Sequence, residues 1–411
     1  MTPEKIDNKA LQEAFASEKK QPKRQERLDR KHLVFLIIGI IGVLGGLTCL
    51  LVVIFGINNK ASELISEETG EEPEEIAYSA LTGVPLADAA LLTAPAYCIQ
   101  TPNGTDGARP QAGLNEAGVV FEAIAEAGIT RFAAIYQNPS SAVIGPIRSL
   151  RIYYLEWDTP FDCAIVHAGG SGDALAAVSA GGYKDLSENY AYMYRGTYGS
   201  RLWNNLFTTS AYLKQFSVDY GYDTSNINGF SRMTPEEALE DLVDTNVEEA
   251  LDIINPSSGD TSEIMADVSS IDLRLGGWAN FNVHYDYNVE TNTYDRSYES
   301  GVPHQVYACA SEDLGERNPE DVCSLVQISP SVVIAMMVQE KKASDNYHED
   351  ITVIGSGNAF IFQNGTVTTG TWNKASKNDQ IKFLDEDGNE ILLAPGQTFV
   401  TAVPNYGSVD Y

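Results

Sequence analysis

The stretch Leu33 to Ile57, LVFLIIGIIGVLGGLTCLLVVIFGI, holds no charged residue. Roughly 20 apolar residues suffice for a helix to cross a bilayer, so the run predicts one membrane helix over 33–57. Lys23, Arg24, Arg27, Arg30 and Lys31 precede it, whereas Lys60 is the nearest basic residue after it. The positive-inside bias then puts a tail, 1–32, in the cytoplasm and everything after residue 57 outside. The run is longer than the apolar region of a cleaved leader, and no small-x-small site follows it. Cys49 has apolar residues on its C-terminal side and fits lipid attachment poorly. Gly42 and Gly46 form a GxxxG, a spacing that lets two membrane helices approach.

Outside the membrane the chain is acidic, with a formal net charge of −30 over 411 residues. Backbone binding to nucleic acid needs clustered Lys and Arg, so that partner is excluded. Residues 58–77, NNKASELISEETGEEPEEIA, are dense in Glu without an apolar period and read as a self-repelling spacer. Beyond Cys49 stand Cys98, Cys163, Cys309 and Cys323, in a compartment where disulfides persist. Cys309 and Cys323 flank a polar loop and are expected to close it. Cys98 and Cys163 each sit in a short apolar run, where they either pair or are simply buried. No cysteine or histidine spacing suggests zinc, and neither a metal nor another cofactor is expected.

The folded region starts near Tyr78. Ala96–Gln100 is a strand candidate, and GVVFEAIAEAGITRFAAIYQ reads as a hairpin broken at Ala127-Gly128; a helix over 116–127 is the alternative. Gly145-Pro146 is expected to open a helix that projects Arg148 and Arg151 from one side. DCAIVHA then reads as a strand, GGSG as a turn and DALAAVSA as a helix. That order aims free backbone N–H groups at an anion. Residues 183–232 read as loops with short helices, and Thr234 caps a helix expected to run to about Ile254.

After NPSSGDTSE the period changes to two. Strands are expected at 281–287, 332–338, 359–362, 367–372, 380–384 and 390–393, with hairpin turns at Asn364-Gly365 and Asp387-Gly388. The expected fold is a mixed α/β (α+β) domain over 78–255, then a mainly antiparallel β domain over 262–411, behind one membrane helix.

Several motifs resemble the YerB-like family of bacterial extracytoplasmic proteins. They are ARPQAGLNEAGVVFEAIAEAGITRF at 108–132, GPIRSLR at 145–151, HAGGS at 167–171, GVPH at 301–304, GSGNAFIFQNGTVTTGTWNK at 355–374 and LLAPGQTFVTAVP at 392–404. In order they span about four fifths of the chain. The resemblance implies a position outside the cytoplasmic membrane and carries no assigned reaction. Many members are lipoproteins, whereas this chain has an apolar run as its anchor; the Cys309–Cys323 loop looks like an addition.

Charged groups inside apolar runs need partners or a ligand. The candidate site is therefore Glu122, Arg131, Arg148, Arg151 and His167 with the turn Gly169, Gly170 and Ser171. Guanidinium groups match carboxylate and phosphate bidentately, which points to an anionic envelope ligand. The structural reading is that the arginines pair with Glu122, Glu126, Glu156 or Asp162. Two other functions compete: an envelope hydrolase using Glu122 with His167 or a serine, and an assembly protein docking a membrane partner. Gly-x-Ser-x-Gly fails at Asp173, so the serine version is the weaker of the hydrolase readings.

Overall fold

The apolar runs on either side of Ala127-Gly128 form strands, as alternation suggests. β1 (Ala96–Pro102), β2 (Val119–Glu126) and β3 (Ile129–Gln137) lie side by side, β3 antiparallel to both others. Ala127 and Gly128 both take left-handed backbone conformations, φ 52° and 78°, which suit a two-residue hairpin turn. The chain is described here by a computed structural model covering residues 76–196, 204–238, 241, 268–310 and 318–411. The expected membrane helix 33–57, the tail 1–32 and nearly all of the spacer lie outside these residues. Among the described residues, no helix is long and apolar enough to cross a membrane.

Along the chain follow β4 (Ala164–His167), β5 (Lys184–Ser187) and a small ribbon of β6 (Tyr194–Arg195) with β7 (Leu206–Phe207). Then come β8 (Ser270–Arg274), β9 (Val283–Asn288) and β10 (Thr293–Tyr298). β11 (Gln305–Ala308) pairs with β12 (Ser324–Gln327) next to the Cys309–Cys323 disulfide. The last are β13 (Val332–Lys342), β14 (Glu349–Thr352), β15 (Gly355–Gln363), β16 (Thr366–Lys374), β17 (Lys382–Leu384), β18 (Thr398–Pro404) and β19 (Ser408–Asp410).

Eleven of these strands make one sheet, ordered β17-β16-β15-β13-β18-β2-β3-β1-β4-β5 with β14 beside β13. The join is β18, which runs parallel to β13 on one side and to β2 on the other. Residues 78–255 and 262–411, expected as separate domains, thus supply strands to the same sheet. A central strand is covered on both faces, which is why β2 and β18 are buried along their whole length. One face packs on the helix Ile152–Asp158, where Trp157 stacks on Phe121 with ring centres 5.0 Å apart. On the other face Ile124, Val333 and Phe362 meet Ile271, Leu273 and Tyr285 of a second sheet, β10-β9-β8-β19.

Several expectations need correction. No helix opens at Gly145-Pro146; residues 147–150 are extended and the helix starts at Ile152, so Arg148 and Arg151 do not share a helical face. The reason is tertiary pairing. Ile147 and Arg148 donate their backbone N–H groups to Leu206 and Gln100, and Leu150 N–H goes to Gly169 O instead of back to Pro146 O, so the i→i−4 bond that would close a first turn is not made. The C-terminal half is mainly antiparallel, and β18 departs from that pattern by pairing parallel with β13 and β2. Residues 390–393 make only isolated bridges, Glu390 with Leu384 and Leu393 with Arg232. The helix from Thr234 begins with a reciprocal cap, Thr234 N–H to the Glu237 carboxylate and Glu237 N–H to Thr234 Oγ1. Its course beyond residue 238 lies outside the described residues, Asp241 apart. Both disulfides, Cys98–Cys163 and Cys309–Cys323, are formed.

Candidate functional site

Glu122 and Glu126 lie on the same strand, and a register shift between Ile124 and Glu126 separates them. Residues two apart on a strand share a face, so an extra residue sends the next side chain to the opposite one. Glu122 consequently sides with Thr130 and Glu126 with Arg131.

The Glu122 side is closed. Glu122 and Arg296 are both fully buried, with Arg296 Nη2 donating to Glu122 Oε2 at 2.7 Å. The other carboxylate oxygen accepts from Thr130 Oγ1 at 2.9 Å and Asn103 Nδ2 at 3.1 Å. Asn103 Oδ1 in turn accepts from Arg109 Nε at 2.8 Å, Tyr298 O–H at 3.0 Å and Gln111 Nε2 at 3.2 Å. His304 closes the circuit: Nδ1 accepts from Arg296, and Nε2–H donates to Gln111 Oε1 at 3.1 Å. Burial, with Arg296 and Arg109 beside it, holds the His304 imidazole well below its usual pKa, so the ring is neutral. Arg296 is held above its usual value: burial opposes this, but the Glu122 carboxylate together with Tyr285 and Tyr298 outweighs it.

The Glu126 side is different. Arg131 Nη2 and Arg151 Nη2 each donate to one Glu126 oxygen at 2.6 Å. Arg131 also donates to Ser149 O, and Arg151 to Leu150 O. Arg148 comes third, 4.0 Å from Glu126, with a quarter of its side chain exposed. Its Nε is buried without a partner, and among the described residues its guanidinium donates no hydrogen bond. Burial pushes the Glu126 carboxyl up, yet the three guanidinium groups together hold it below the ordinary range. Burial lowers Arg131 and Arg148 more than Glu126 raises them. One carboxylate therefore serves three cations, and the least satisfied of them reaches solvent.

It reaches it in a cavity of about 440 Å³ at the tip of the β2–β3 hairpin, walled also by Asn103, Asp106, Thr130, Asn204 and Tyr347. The turn is held from two directions: Ala127 N–H donates to Tyr347 O, and Trp278 Nε1–H donates to Ala127 O. A larger depression over β15 to β17, lined by Thr369, Thr371, Asp385 and Asp387, has no basic residue in its wall.

The expected site residues thus fall into three places. Arg131, Arg148 and Arg151 do meet, around Glu126. Glu122 belongs to the sealed network, so the expectation that it pairs with those arginines is corrected to Arg296. His167 lies apart, with Nδ1 on Gly169 O at 2.7 Å and Nε2 on Asp185 at 3.0 Å. Gly169, Gly170 and Ser171 serve the backbone: Leu150 N–H donates to Gly169 O and Ser171 N–H to Leu150 O. Ser171 Oγ makes no hydrogen bond, so no serine–histidine pair forms. Among the described residues no group of His, Cys, Asp and Glu is placed to hold a metal ion.

Two family models match this chain, described as the N-terminal domain of a protein of unknown function (DUF3048), over residues 81–223, and its C-terminal domain, over 271–400. The Bacillus subtilis (strain 168) protein named "Putative lipoprotein YerB" is 25% identical over 309 residues, covering 74% of this chain and 80% of the relative. The chain belongs to the YerB-like family. The crystal structure of YerB from Bacillus subtilis superposes with a TM-score of 0.62 at 22% identity, over 82% of this chain and 100% of that one. The fold is shared, and the family is one of unknown function.

Glu126 is one of the four acids that the sequence offers as partners for the arginines, and the ion pairs single it out. Sequence reasoning missed Arg109, Arg296, Asn204 and Tyr347. For Arg296 a signal existed, an arginine in the alternating run TYDRSY at 293–298 where its neighbours Tyr294 and Tyr298 face inward. Tyr347 gave none, being one aromatic residue in a polar loop.

Proposed function

We propose that the chain is a membrane-anchored extracytoplasmic protein that binds an anionic cell-envelope ligand at Arg148. Arg148 carries this reading: a half-buried cation without a hydrogen-bond partner, at the wall of a cavity. An incoming carboxylate or phosphate completes the pairing that Glu126 cannot extend to a third guanidinium. Arg131 and Arg151 hold Glu126 in place and add positive potential behind the contact. Three observations support the location. They are two disulfides, which persist outside the cytoplasm, the charge-free run at 33–57, and a relative named as a lipoprotein. The competing hydrolase reading has no geometric support, since Glu122 and His167 occupy separate networks.

Calorimetric titration of the full chain in detergent micelles with inorganic phosphate and with acetate tests the site. Arg148→Ala is expected to weaken binding about tenfold or more, the loss of a charge-assisted contact. Equal affinity of parent and variant would refute it. Protease protection in spheroplasts tests the topology, with residues 76–411 digested from outside and the tail 1–32 protected.

A further inference from the structure

The cavity around Arg148 is built for more than a charge. Resting on the anion-binding reading, we propose that its ligand is an acidic sugar, a saccharide ring carrying a carboxylate or phosphate. The charged group would sit on Arg148 and a C–H face of the ring on Tyr347.

Size is the first argument. A single carboxylate or phosphate would leave most of about 440 Å³ empty, and cavities of this order take a ring-sized ligand. The wall's chemistry is the second. Besides Arg148 it carries the Asp106 carboxylate, to which Asn204 Nδ2 donates at 2.9 Å, whereas Asn103 and Thr130 spend their polar atoms in the closed network around Glu122. A carboxylate near the arginines repels a bare polyanion. It favours a ligand that brings hydroxyl donors along with its charge, because carboxylates only accept.

The third argument is the aromatic wall. Tyr347 lines the cavity with 55% of its surface exposed, while its carbonyl oxygen is bonded to the hairpin turn. Aromatic residues offer an apolar body with a polar tip, and its ring face matches the C–H face of a sugar. Trp278, 66% exposed, packs on Gly128 of the same turn and provides a second ring beside the site.

The test is calorimetry on the full chain in detergent with six probes. N-acetylmuramic acid and glucose 6-phosphate are the acidic sugars, N-acetylglucosamine and glucose their neutral rings, and lactate and inorganic phosphate the bare anions. At least one acidic sugar is expected to bind about tenfold tighter than both its neutral ring and its bare anion. Tyr347→Ala should weaken that sugar about fivefold and leave the bare anions unchanged, while Tyr347→Phe retains the affinity. Arg148→Ala should weaken acidic sugars and anions alike. If acidic sugars bind no tighter than bare anions and Tyr347→Ala is silent, the sugar is refuted and the anion site stands. If no probe binds in a manner that depends on Arg148, both fail.

Discussion

Glu122 and Glu126 are the same side chain four residues apart on one strand, and the protein uses them in opposite ways. Glu122 is matched by one guanidinium, one hydroxyl and one amide, with no exposed surface left. Glu126 is shared by three guanidinium groups and borders a cavity. What separates them is the bulge between Ile124 and Glu126, which turns one carboxylate into each face of the sheet. A buried network whose members are all satisfied specifies packing; one with an excess of like charge at a solvent-reachable wall is left able to accept a ligand. The first also ties the two halves of the chain together, since Glu122 sits on β2 and Arg296 on β10.

The largest expected effect therefore belongs to the sealed side. Arg296→Ala leaves Glu122 charged and unpaired in the interior, and should cost about 3–5 kcal/mol in denaturant unfolding. The double variant Glu122→Leu/Arg296→Met, which removes both charges at similar volume, should recover most of that loss. If Arg296→Ala costs no more than a surface substitution, the contrast between the two carboxylates collapses.

On the open side the effects should be smaller and graded. Arg131 is wholly buried and holds Glu126 and Ser149 O, but Arg151 remains on the carboxylate when it is removed. Arg131→Ala should cost about 1–3 kcal/mol by the same unfolding measurement. Arg148→Ala should change stability by no more than about 0.5 kcal/mol in either direction, while weakening the anion response about tenfold or more, because nothing in the folded chain depends on its hydrogen bonds. A loss comparable with that of Arg131→Ala would show that Arg148 is part of the packing.

How much of this could be read from the residues depended on range. The β2–β3 hairpin, β1, the strand–turn–helix at 164–179 and the Asn364-Gly365 turn were legible because alternation and turn chemistry are local. Glu122 stood out as an acid in an apolar run, and the three arginines as cations in another. The arginines' partner, Glu126, was one of four acids in view, whereas Glu122's was not in view at all. Arg296 lies 174 positions from Glu122, and nothing local announces such a pairing. The helix expected at Gly145-Pro146 failed for a related reason: its backbone N–H groups pair with β1, β7 and the glycine turn. The bulge that separates Glu122 from Glu126 is likewise a matter of register between strands. The insertion of β18 beside β2, which merges two segments into one sheet, is a long-range choice that no short pattern encodes.

The smallest expected effect is on the slope of stability against pH, and it sets the sealed network against another buried acid. His304 titrates near 6.5 when unfolded, and its folded pKa lies well below that. Between those values the unfolded chain takes up a proton that the folded one refuses, so stability falls as pH drops below about 6.5. Glu340 does the reverse. Burial raises its carboxyl to about 7, with the neighbouring Glu349 adding to the rise, while the hydrogen bond from Tyr406 O–H and the nearby Lys342 only partly oppose it. As pH drops from 7 toward the unfolded value of about 4.5, the folded state binds the extra proton and gains stability. The two contributions share one window and have opposite signs. Unfolding titrations between pH 4.5 and 7 should therefore move in opposite directions from the parent slope. His304→Gln should steepen the gain toward low pH, and Glu340→Gln should convert it toward a loss. Glu126, held below the ordinary range, stays outside this window and contributes only where pH falls below about 4.5. If His304→Gln leaves the slope at the parent value, the ring is not kept neutral by burial and the Arg296 and Arg109 charges, and the sealed network is less closed than its geometry implies.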